Sequence, residues 1–200
     1  MPRQTFLFDI GKVLLDFDFT IFRKSIASGI EQDEALEKFL RAEQYAYESG
    51  GMSSAEFYLS AKKKLPFWPE RERFTEAWNS IFTPNFLMWE LAEKLASKGH
   101  RLILFSNTNA LHAETFLKEY PVFTHFDEHH FSHEARALKP ESAFYQSALE
   151  KFKLVPERTI YFDDMPENVA AGRDFGFHSF QYDLRNHQAC LNWLSSLGIS

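Results

Sequence analysis

Phe6-Leu7-Phe8-Asp9-Ile10-Gly11 is the stretch of sequence that decides the fold. Three large apolar residues, followed by a carboxylate and a turn-forming glycine, predict a short strand buried on both faces. Asp9 then lies at the carboxyl end of that strand, where open α/β sheets bind their ligands. Taken alone, Asp9 is equally compatible with a cap on the following turn, so the rest of the chain has to decide.

Later segments repeat this form, with an apolar run that ends in polar residues. The predicted strands are residues 101–106, 126–131, 159–164 and 177–182. Helical patterns separate them, so strands and helices alternate from residue 84 onward. This alternation predicts an α/β fold with a doubly wound parallel sheet and helices on both faces.

Residues 17–82 have a different pattern, which indicates about four helices with no strand between them. The clearest helix start is Ser53-Ser54-Ala55-Glu56, a capping-box signature with Ser53 as N-cap. Pro69 is placed at the first position of a helix that reaches residue 82, and Thr83-Pro84 is expected to open the next one. We therefore predict an α/β core of residues 1–16 and 83–200, with a small helical insert of residues 17–82.

Composition excludes several classes of protein. The chain has 22 basic and 28 acidic residues, a net charge of −6 and no long basic run, so it lacks the electrostatic signature of nucleic-acid binding. Its single cysteine, Cys190, excludes an internal disulfide and is typical of a reducing compartment. No apolar run approaches membrane-spanning length and no signal-peptide pattern is present. We expect a cytoplasmic protein that binds neither membrane nor nucleic acid; the oligomeric state is not predictable.

Polar side chains gather at the predicted carboxyl ends of the strands. They are Asp9, Ser106 with Asn107, Lys139 in the loop 137–140, and Asp163 with Asp164. Carboxylates suit a hard cation such as Mg²⁺, and a hydroxyl and a lysine suit phosphate oxygens. A carboxylate that faces phosphorus can act as nucleophile. Each residue alone has an ordinary structural explanation, but four such positions at successive strand ends indicate one catalytic site.

These residues form motifs that resemble those of the haloacid dehalogenase superfamily. The four motifs stand here as Phe8-Asp9-Ile10-Gly11-Lys12-Val13, Ser106-Asn107-Thr108-Asn109, Leu138-Lys139-Pro140-Glu141 and Phe162-Asp163-Asp164-Met165-Pro166-Glu167-Asn168. The resemblance spans nearly the whole chain, and residues 17–82 match the small helical cap of that family. Within the superfamily, residues 104–112 most resemble bacterial sugar-phosphate phosphatases of the alpha-glucose-1-phosphate phosphatase kind.

The resemblance implies a Mg²⁺-dependent phosphatase that acts on a small phosphorylated metabolite, such as glucose 1-phosphate. It implies that Asp9 is the nucleophile and forms an aspartyl-phosphate intermediate. It also implies that Asp9, Asp164 and the backbone carbonyl of Gly11 are the ligands of Mg²⁺.

The remaining motif residues have implied roles around the phosphate. Ser106, Asn107 and Lys139 would bind it, and Lys139 would also neutralise charge around the nucleophile. Asp163 would orient the site, and Asn168 would form hydrogen bonds near the metal or its waters.

One position departs from the family pattern. Most phosphatases of the superfamily carry Asp two residues after the nucleophile as general acid and base, whereas this chain has Gly11. The lost proton donor predicts a preference for leaving groups of low basicity, such as anomeric sugar phosphates, unless Asp18 or the substrate supplies the proton. Lys12, also atypical, is expected to point to solvent.

Gly11 also keeps two alternatives open. Haloacid dehalogenases use an Asp nucleophile on carbon, need no metal and lack the second Asp, although the pair Asp163-Asp164 favours a metal site. The third possibility is a binding module that retains the fold without activity.

Two further sets of residues carry expectations. Residues proposed to line the substrate pocket are Phe17, Asp18, Phe22, Glu43, Tyr45 and Tyr47. The histidines at positions 125, 129, 130 and 133 are interpreted as surface or loop groups rather than as zinc ligands, because no cysteine lies nearby.

Overall fold

The computed structural model describes residues 3–199 and contains one central parallel sheet. The strands are β1 (Thr5–Phe8), β2 (Leu15–Phe17), β3 (Phe82–Pro84), β4 (Arg101–Ser106), β5 (Glu128–Phe131), β6 (Thr159–Asp163) and β7 (His178–Gln181). The order in the sheet is β5-β4-β1-β6-β7, and every pair is parallel. The predicted α/β fold class is confirmed, and β1 lies at its centre.

Helices cover both faces of this sheet and fill the insert. Between β2 and β3 lie α1 (Phe19–Ile26), α2 (Ile30–Glu48), α3 (Ser54–Lys64) and α4 (Arg71–Asn79). After β3 come α5 (Phe86–Ser97), α6 (Ala110–Glu119), α7 (Ser132–Ala135), α8 (Ser142–Phe152), α9 (Pro166–Asp174) and α10 (His187–Ser196). Within residues 3–199, none of the helices has the length and apolar character needed to cross a membrane.

The packing of β1 explains why its sequence is apolar at every position. Phe6 and Phe8 belong to the cluster under α5, α6 and α10, whereas Leu7 packs in the opposite cluster with residues of α8. Successive side chains of a strand point to opposite faces, so three apolar residues in a row bury both. The backbone N–H of Asp9 continues the strand pairing by donating to the carbonyl of Phe162 at 2.9 Å. Asp9 is therefore held on a rigid platform.

The helices α1–α4 pack around an aromatic core of their own. The ring centroid of Trp78 lies 4.9 Å from that of Phe22, 5.4 Å from Phe57 and 5.7 Å from Phe74. These side chains form a cluster that contains no residue of the parallel sheet. The division into a core and a cap at the predicted boundaries stays a prediction. The proposed function below rests on it when it treats residues 17–82 as the cap.

The connection between insert and sheet differs from the prediction. β2 and β3 pair antiparallel, with Leu15 opposite Pro84 and Phe17 opposite Phe82, so strand residues flank the insert at both ends. The prediction that Thr83-Pro84 opens a helix is wrong, because α5 begins at Phe86 after Asn85. Proline fits a helix start, but it also fits a strand edge where no N–H is needed.

The capping box at Ser53 is confirmed. The Glu56 backbone N–H donates to Ser53 Oγ at 3.2 Å, and the Ser53 N–H donates to Glu56 Oε2 at 2.8 Å. We expect Ser53→Ala to lower the free energy of unfolding by about 1 kcal/mol, because the Glu56 N–H at the start of α3 loses its acceptor, Ser53 Oγ, whereas the N–H of residue 53 still donates to Glu56. Urea denaturation measures the change. Ser60→Ala, inside α3, is the matched control, and an equal loss there would contradict the assignment to the cap.

Candidate active site

The parallel sheet brings the predicted polar residues together at one edge. Asp9 follows β1, Ser106 ends β4, and Asp163 ends β6. Since Phe8 pairs with Leu104 on one side and with Phe162 on the other, these three side chains lie at the same edge of the sheet. Lys139 reaches this edge from the loop between α7 and α8.

Lys139 is the centre of the site. Its Nζ lies 3.0 Å from Asp9 Oδ1, 2.6 Å from Asp163 Oδ2 and 2.9 Å from the carbonyl oxygen of Phe105. These contacts match the three N–H donors of an ammonium group, whose side chain is 1% exposed. Burial alone would lower the pKa of Lys139, but the carboxylates of Asp163 and Asp9 outweigh it and raise that pKa above its ordinary value. The lysine is therefore a permanent positive charge beside Asp9.

Asn107 fixes the loop that carries this lysine. Its Nδ2 donates to the Lys139 carbonyl at 2.9 Å, and its Oδ1 accepts from the Lys139 backbone N–H at 2.8 Å. One N–H of the amide is left for a substrate, so the role of Asn107 as a phosphate donor stays a prediction. The contact gives it a positioning role that the sequence does not reveal.

Asp163 accepts hydrogen bonds on both oxygens. Tyr161 and Lys139 donate to Oδ2 at 2.5 and 2.6 Å, while the Met165 N–H and Asn168 Nδ2 donate to Oδ1 at 2.9 and 3.0 Å. The residue is completely buried. A carboxylate with four donors is already satisfied and is unsuited to bind a metal directly, whereas it can hold Lys139 and Asn168 in place.

The remaining carboxylates fit a divalent cation. Ligand atoms of Asp9, Asp163 and Asp164 lie within 4.8 Å of one another, and Asp163 is occupied as described. Burial, with the nearby charge of Asp163, raises the pKa of Asp9 to about 7 and that of Asp164 to about 6, so the one positive charge of Lys139 does not fully compensate this crowded acidic site. Asn168 Oδ1 is buried and has no hydrogen-bond partner among residues 3–199. A hard cation with bound waters would supply both the charge and the missing donor.

The segment after Asp9 is shaped by Phe17. A Cβ added to Gly11 would lie 2.9 Å from Phe17 Cε1, so the aromatic ring occupies the space of a side chain at that position. Lys12, expected to point to solvent, is instead half-buried and contacts the carboxylate of Asp16, and its Nζ donates to the Phe17 carbonyl at 2.9 Å. Gly11 therefore supplies no general acid, and a side chain at this position would have to displace the ring of Phe17.

A cavity of about 250 Å³ lies above the site. The residues that line it include Asp9, Ser106, Lys139 and Asp164 of the site, Gln44 and Glu48 of α2, and also Phe17, Phe19, Phe82 and His112. Burial lowers the pKa of His112 to about 4, and its Nε2 lies 3.0 Å from the Trp78 carbonyl, so this histidine is a neutral link between α6 and the insert.

Of the six residues expected to line the pocket, only Phe17 does so. Asp18 caps α1, Glu43 binds Lys64, and Tyr45 donates to Glu141. Phe22 and Tyr47 are buried in the aromatic core of the insert. The sequence missed Gln44 and Glu48, whose i, i+4 spacing is the available signal.

The histidine interpretation needs one correction. His130 is buried, with Nε2 3.1 Å from the Phe144 carbonyl and 3.0 Å from Ser147 Oγ, whereas His125, His129 and His133 are half-buried. Side chains alternate along β5, and that of His130 points to the face of the sheet that α8 covers, where it packs against Phe144. Among the described residues, the metal-capable group is the aspartate cluster and includes no histidine.

A buried lysine between two carboxylates, with a third carboxylate beside them at the edge of a parallel α/β sheet, is an arrangement typical of an enzyme active site. The chain belongs to the haloacid dehalogenase-like hydrolase family, whose family model matches residues 4–176. The expected superfamily is thereby confirmed.

Relatives of this family cover almost the whole chain. D-ribitol-5-phosphate phosphatase of Bacteroides thetaiotaomicron is 26% identical over 89% of this chain and 91% of its own. A phosphorylated carbohydrates phosphatase of Thermotoga maritima is 25% identical over 86% of this chain and 82% of its own. A HAD family enzyme of Bacteroides thetaiotaomicron, solved with magnesium and inorganic phosphate, superposes with a TM-score of 0.81 at 24% identity, covering 91% of this chain and 95% of that one.

Proposed function

We propose that this protein is a Mg²⁺-dependent phosphatase that hydrolyses a small phosphorylated metabolite through an aspartyl-phosphate at Asp9. The observation that carries the proposal is the position of Lys139, 3.0 Å from Asp9 Oδ1 and 2.6 Å from Asp163 Oδ2. This geometry keeps a positive charge where a phosphate must approach the nucleophile. The curated relatives, named as phosphatases of ribitol 5-phosphate and of phosphorylated carbohydrates, support the same reaction.

Different side chains of the protein attack phosphorus, bind the phosphate oxygens and position the binding groups. A carboxylate oxygen of Asp9 attacks phosphorus, and the bond from phosphorus to the leaving oxygen breaks. Ser106 and Lys139, which line the cavity with Asp9, bind the phosphate oxygens and keep them in line for this attack. Asp163 holds Lys139 in place by accepting a hydrogen bond from its Nζ.

Asp9, Asp164 and the carbonyl of Gly11 are the groups that would hold Mg²⁺. When bound, the cation supplies compensation for the negative charge of the phosphate and of the acidic site. The unpartnered Asn168 Oδ1 would accept a hydrogen bond from one of its waters.

For the substrate we propose a sugar or polyol phosphate, with glucose 1-phosphate as the first compound to test. The cavity of about 250 Å³ is lined by aromatic rings, among them Phe17 and Phe82, and by the amide–carboxylate pair Gln44 and Glu48. Aromatic faces suit the C–H surface of a sugar, and amide and carboxylate groups suit its hydroxyls. The insert, residues 17–82, then acts as the substrate-selective cap of a cytoplasmic enzyme.

Removal of the metal tests the proposal. We expect EDTA to abolish hydrolysis of p-nitrophenyl phosphate and added Mg²⁺ to restore it, because the site has too little positive charge without a cation. Asp164→Asn should raise the Mg²⁺ concentration that gives half-maximal activity, and exposed Asp183→Asn, the matched control, should not.

Assays of this kind also separate the phosphatase from its two alternatives, a haloacid dehalogenase and a silent binding module. Gly11 is the observation that keeps the dehalogenase under consideration. Phosphatase activity that survives thorough chelation would contradict the metal site. Metal-independent release of chloride from 2-chloropropionate would establish a dehalogenase, and no turnover of that compound, of p-nitrophenyl phosphate or of glucose 1-phosphate would favour a silent binding module.

A further inference from the structure

We propose that Glu48, in the last turn of α2, is the general acid and base of this reaction and supplies the proton that Gly11 cannot. The proposal rests on the phosphatase function above and assigns the catalytic residue which that function lacks.

The first support is position. Glu48 lines the same cavity as Asp9 and Lys139. Its backbone carbonyl accepts a hydrogen bond from Ser132 Oγ at 2.6 Å, and the same oxygen of Ser132 accepts the Thr108 N–H at 2.9 Å. Thr108 lies two residues after Ser106 and also lines the cavity. The end of α2 is therefore fixed to the loop that carries the phosphate-binding residues.

The second support is the absence of a competing acid. Among the described residues that line the cavity, the carboxyl groups are those of Asp9, Asp164 and Glu48, and the first two are the ones that would hold the cation. Asp18, the alternative proton source, accepts from the Thr20 N–H and from Thr20 Oγ1, both at 2.8 Å, outside the cavity. Glu48 is left as the carboxyl group free to exchange a proton with a substrate.

The third support is its environment. The carboxylate accepts one hydrogen bond from within residues 3–199, from Gln44 Nε2 at 2.9 Å, and burial raises the pKa of Glu48. The other titratable groups that line the cavity are Asp9, His112, Lys139 and Asp164. The helices packed against α2, which are α1, α3 and α7, carry the charged or titratable residues Arg23, Lys24, Glu56, Tyr58, Lys62, Lys63, Lys64, His133 and Glu134. Arg23 and Lys64 are engaged with acidic residues of α2 other than Glu48.

The proton balance follows from these positions. An Asp9 oxygen forms a bond to phosphorus as the bond to the leaving oxygen breaks, and that oxygen takes the proton of the Glu48 carboxylic acid. The product leaves as a neutral alcohol. The Glu48 carboxylate then accepts a proton from water as the water oxygen attacks phosphorus and the bond to Asp9 breaks. Phosphate is released, and Asp9 and Glu48 return to their starting forms.

A leaving-group comparison in Glu48→Gln tests the proposal. With glucose 6-phosphate, whose leaving oxygen is basic, we expect kcat to fall about 10²–10⁴-fold. With p-nitrophenyl phosphate the first step needs no acid, so the variant should release a burst of about one nitrophenol per enzyme and then turn over slowly, because the second step still lacks its base. Glu48→Asp should recover part of the loss, and Glu43→Gln, one turn away and bound to Lys64, is the matched control.

The outcomes distinguish this proposal from the proposed function. Unchanged rates, or equal losses on both substrates without a burst, would overturn the role of Glu48 and leave the phosphatase standing. A wild-type enzyme that hydrolyses neither compound with Mg²⁺ would overturn both. Circular dichroism melting confirms that the glutamine variant folds, and Glu48→Ala, which also lacks the carboxyl group, gives the same comparison if it does not.

Discussion

Asp9→Asn is expected to remove phosphatase turnover while the protein stays folded. An amide has almost the shape of a carboxylate but no anionic oxygen to attack phosphorus, so kcat should fall on the order of 10⁴–10⁶-fold. Asp9 is buried beside Asp163 and Asp164, and a neutral side chain removes one of three crowded carboxylates. The melting temperature without metal should therefore equal or exceed that of the wild type.

Steady-state assays with p-nitrophenyl phosphate and thermal melting by circular dichroism measure the two effects. Asp18→Asn is the matched control, because Asp18 is exposed at the start of α1 and asparagine caps a helix as well as aspartate does. Its activity and stability should stay close to wild type. Substantial turnover by purified Asp9→Asn would show that another group is the nucleophile.

The strands that form the sheet could be predicted because their sequence signal is local. Residues 101–106 are predicted and observed with the same bounds, since a run buried on both faces needs an apolar residue at each position. The pairing of β2 with β3 could not be predicted, because it joins Leu15 to Pro84 across the whole insert. Nothing local distinguishes Pro84 in a strand from Pro84 at a helix start.

The candidate site likewise contains residues that the sequence predicts and residues that it does not. Asp9, Ser106 and Asp163 follow from the rule that the carboxyl ends of parallel strands meet at one edge of the sheet. Glu48 does not follow from any such rule, because its approach to the cavity depends on the rotation of α2 and on the contact between Ser132 and the end of that helix. Tertiary packing decides both the rotation of α2 and this contact. Most of the residues of the insert that were expected to line the pocket therefore do not line it.

Lys139→Met is expected to cause the largest loss of stability. The side chain is 1% exposed and donates to Asp163 and to the Phe105 carbonyl, which lose a partner in the buried site. Removal of one partner of a buried ion pair costs about 3–5 kcal/mol, because the other charge is left without compensation. Phosphatase activity should also disappear, since the ammonium group that lies beside Asp9 would be gone. Exposed Lys118→Met on α6 is the matched control.

A second substitution separates the charge effect from lost packing. In Lys139→Met/Asp163→Asn the uncompensated charge at position 163 is gone. The amide oxygen can still accept from the Met165 N–H and from Asn168 Nδ2, and the amide N–H can donate to the hydroxyl oxygen of Tyr161. We expect the double variant to recover more than half of the free energy of unfolding lost by Lys139→Met, measured by urea denaturation, and none of the activity. If the double variant is no more stable than Lys139→Met, the loss comes from packing, and the ion pair with Asp163 is not what holds Lys139 beside the nucleophile.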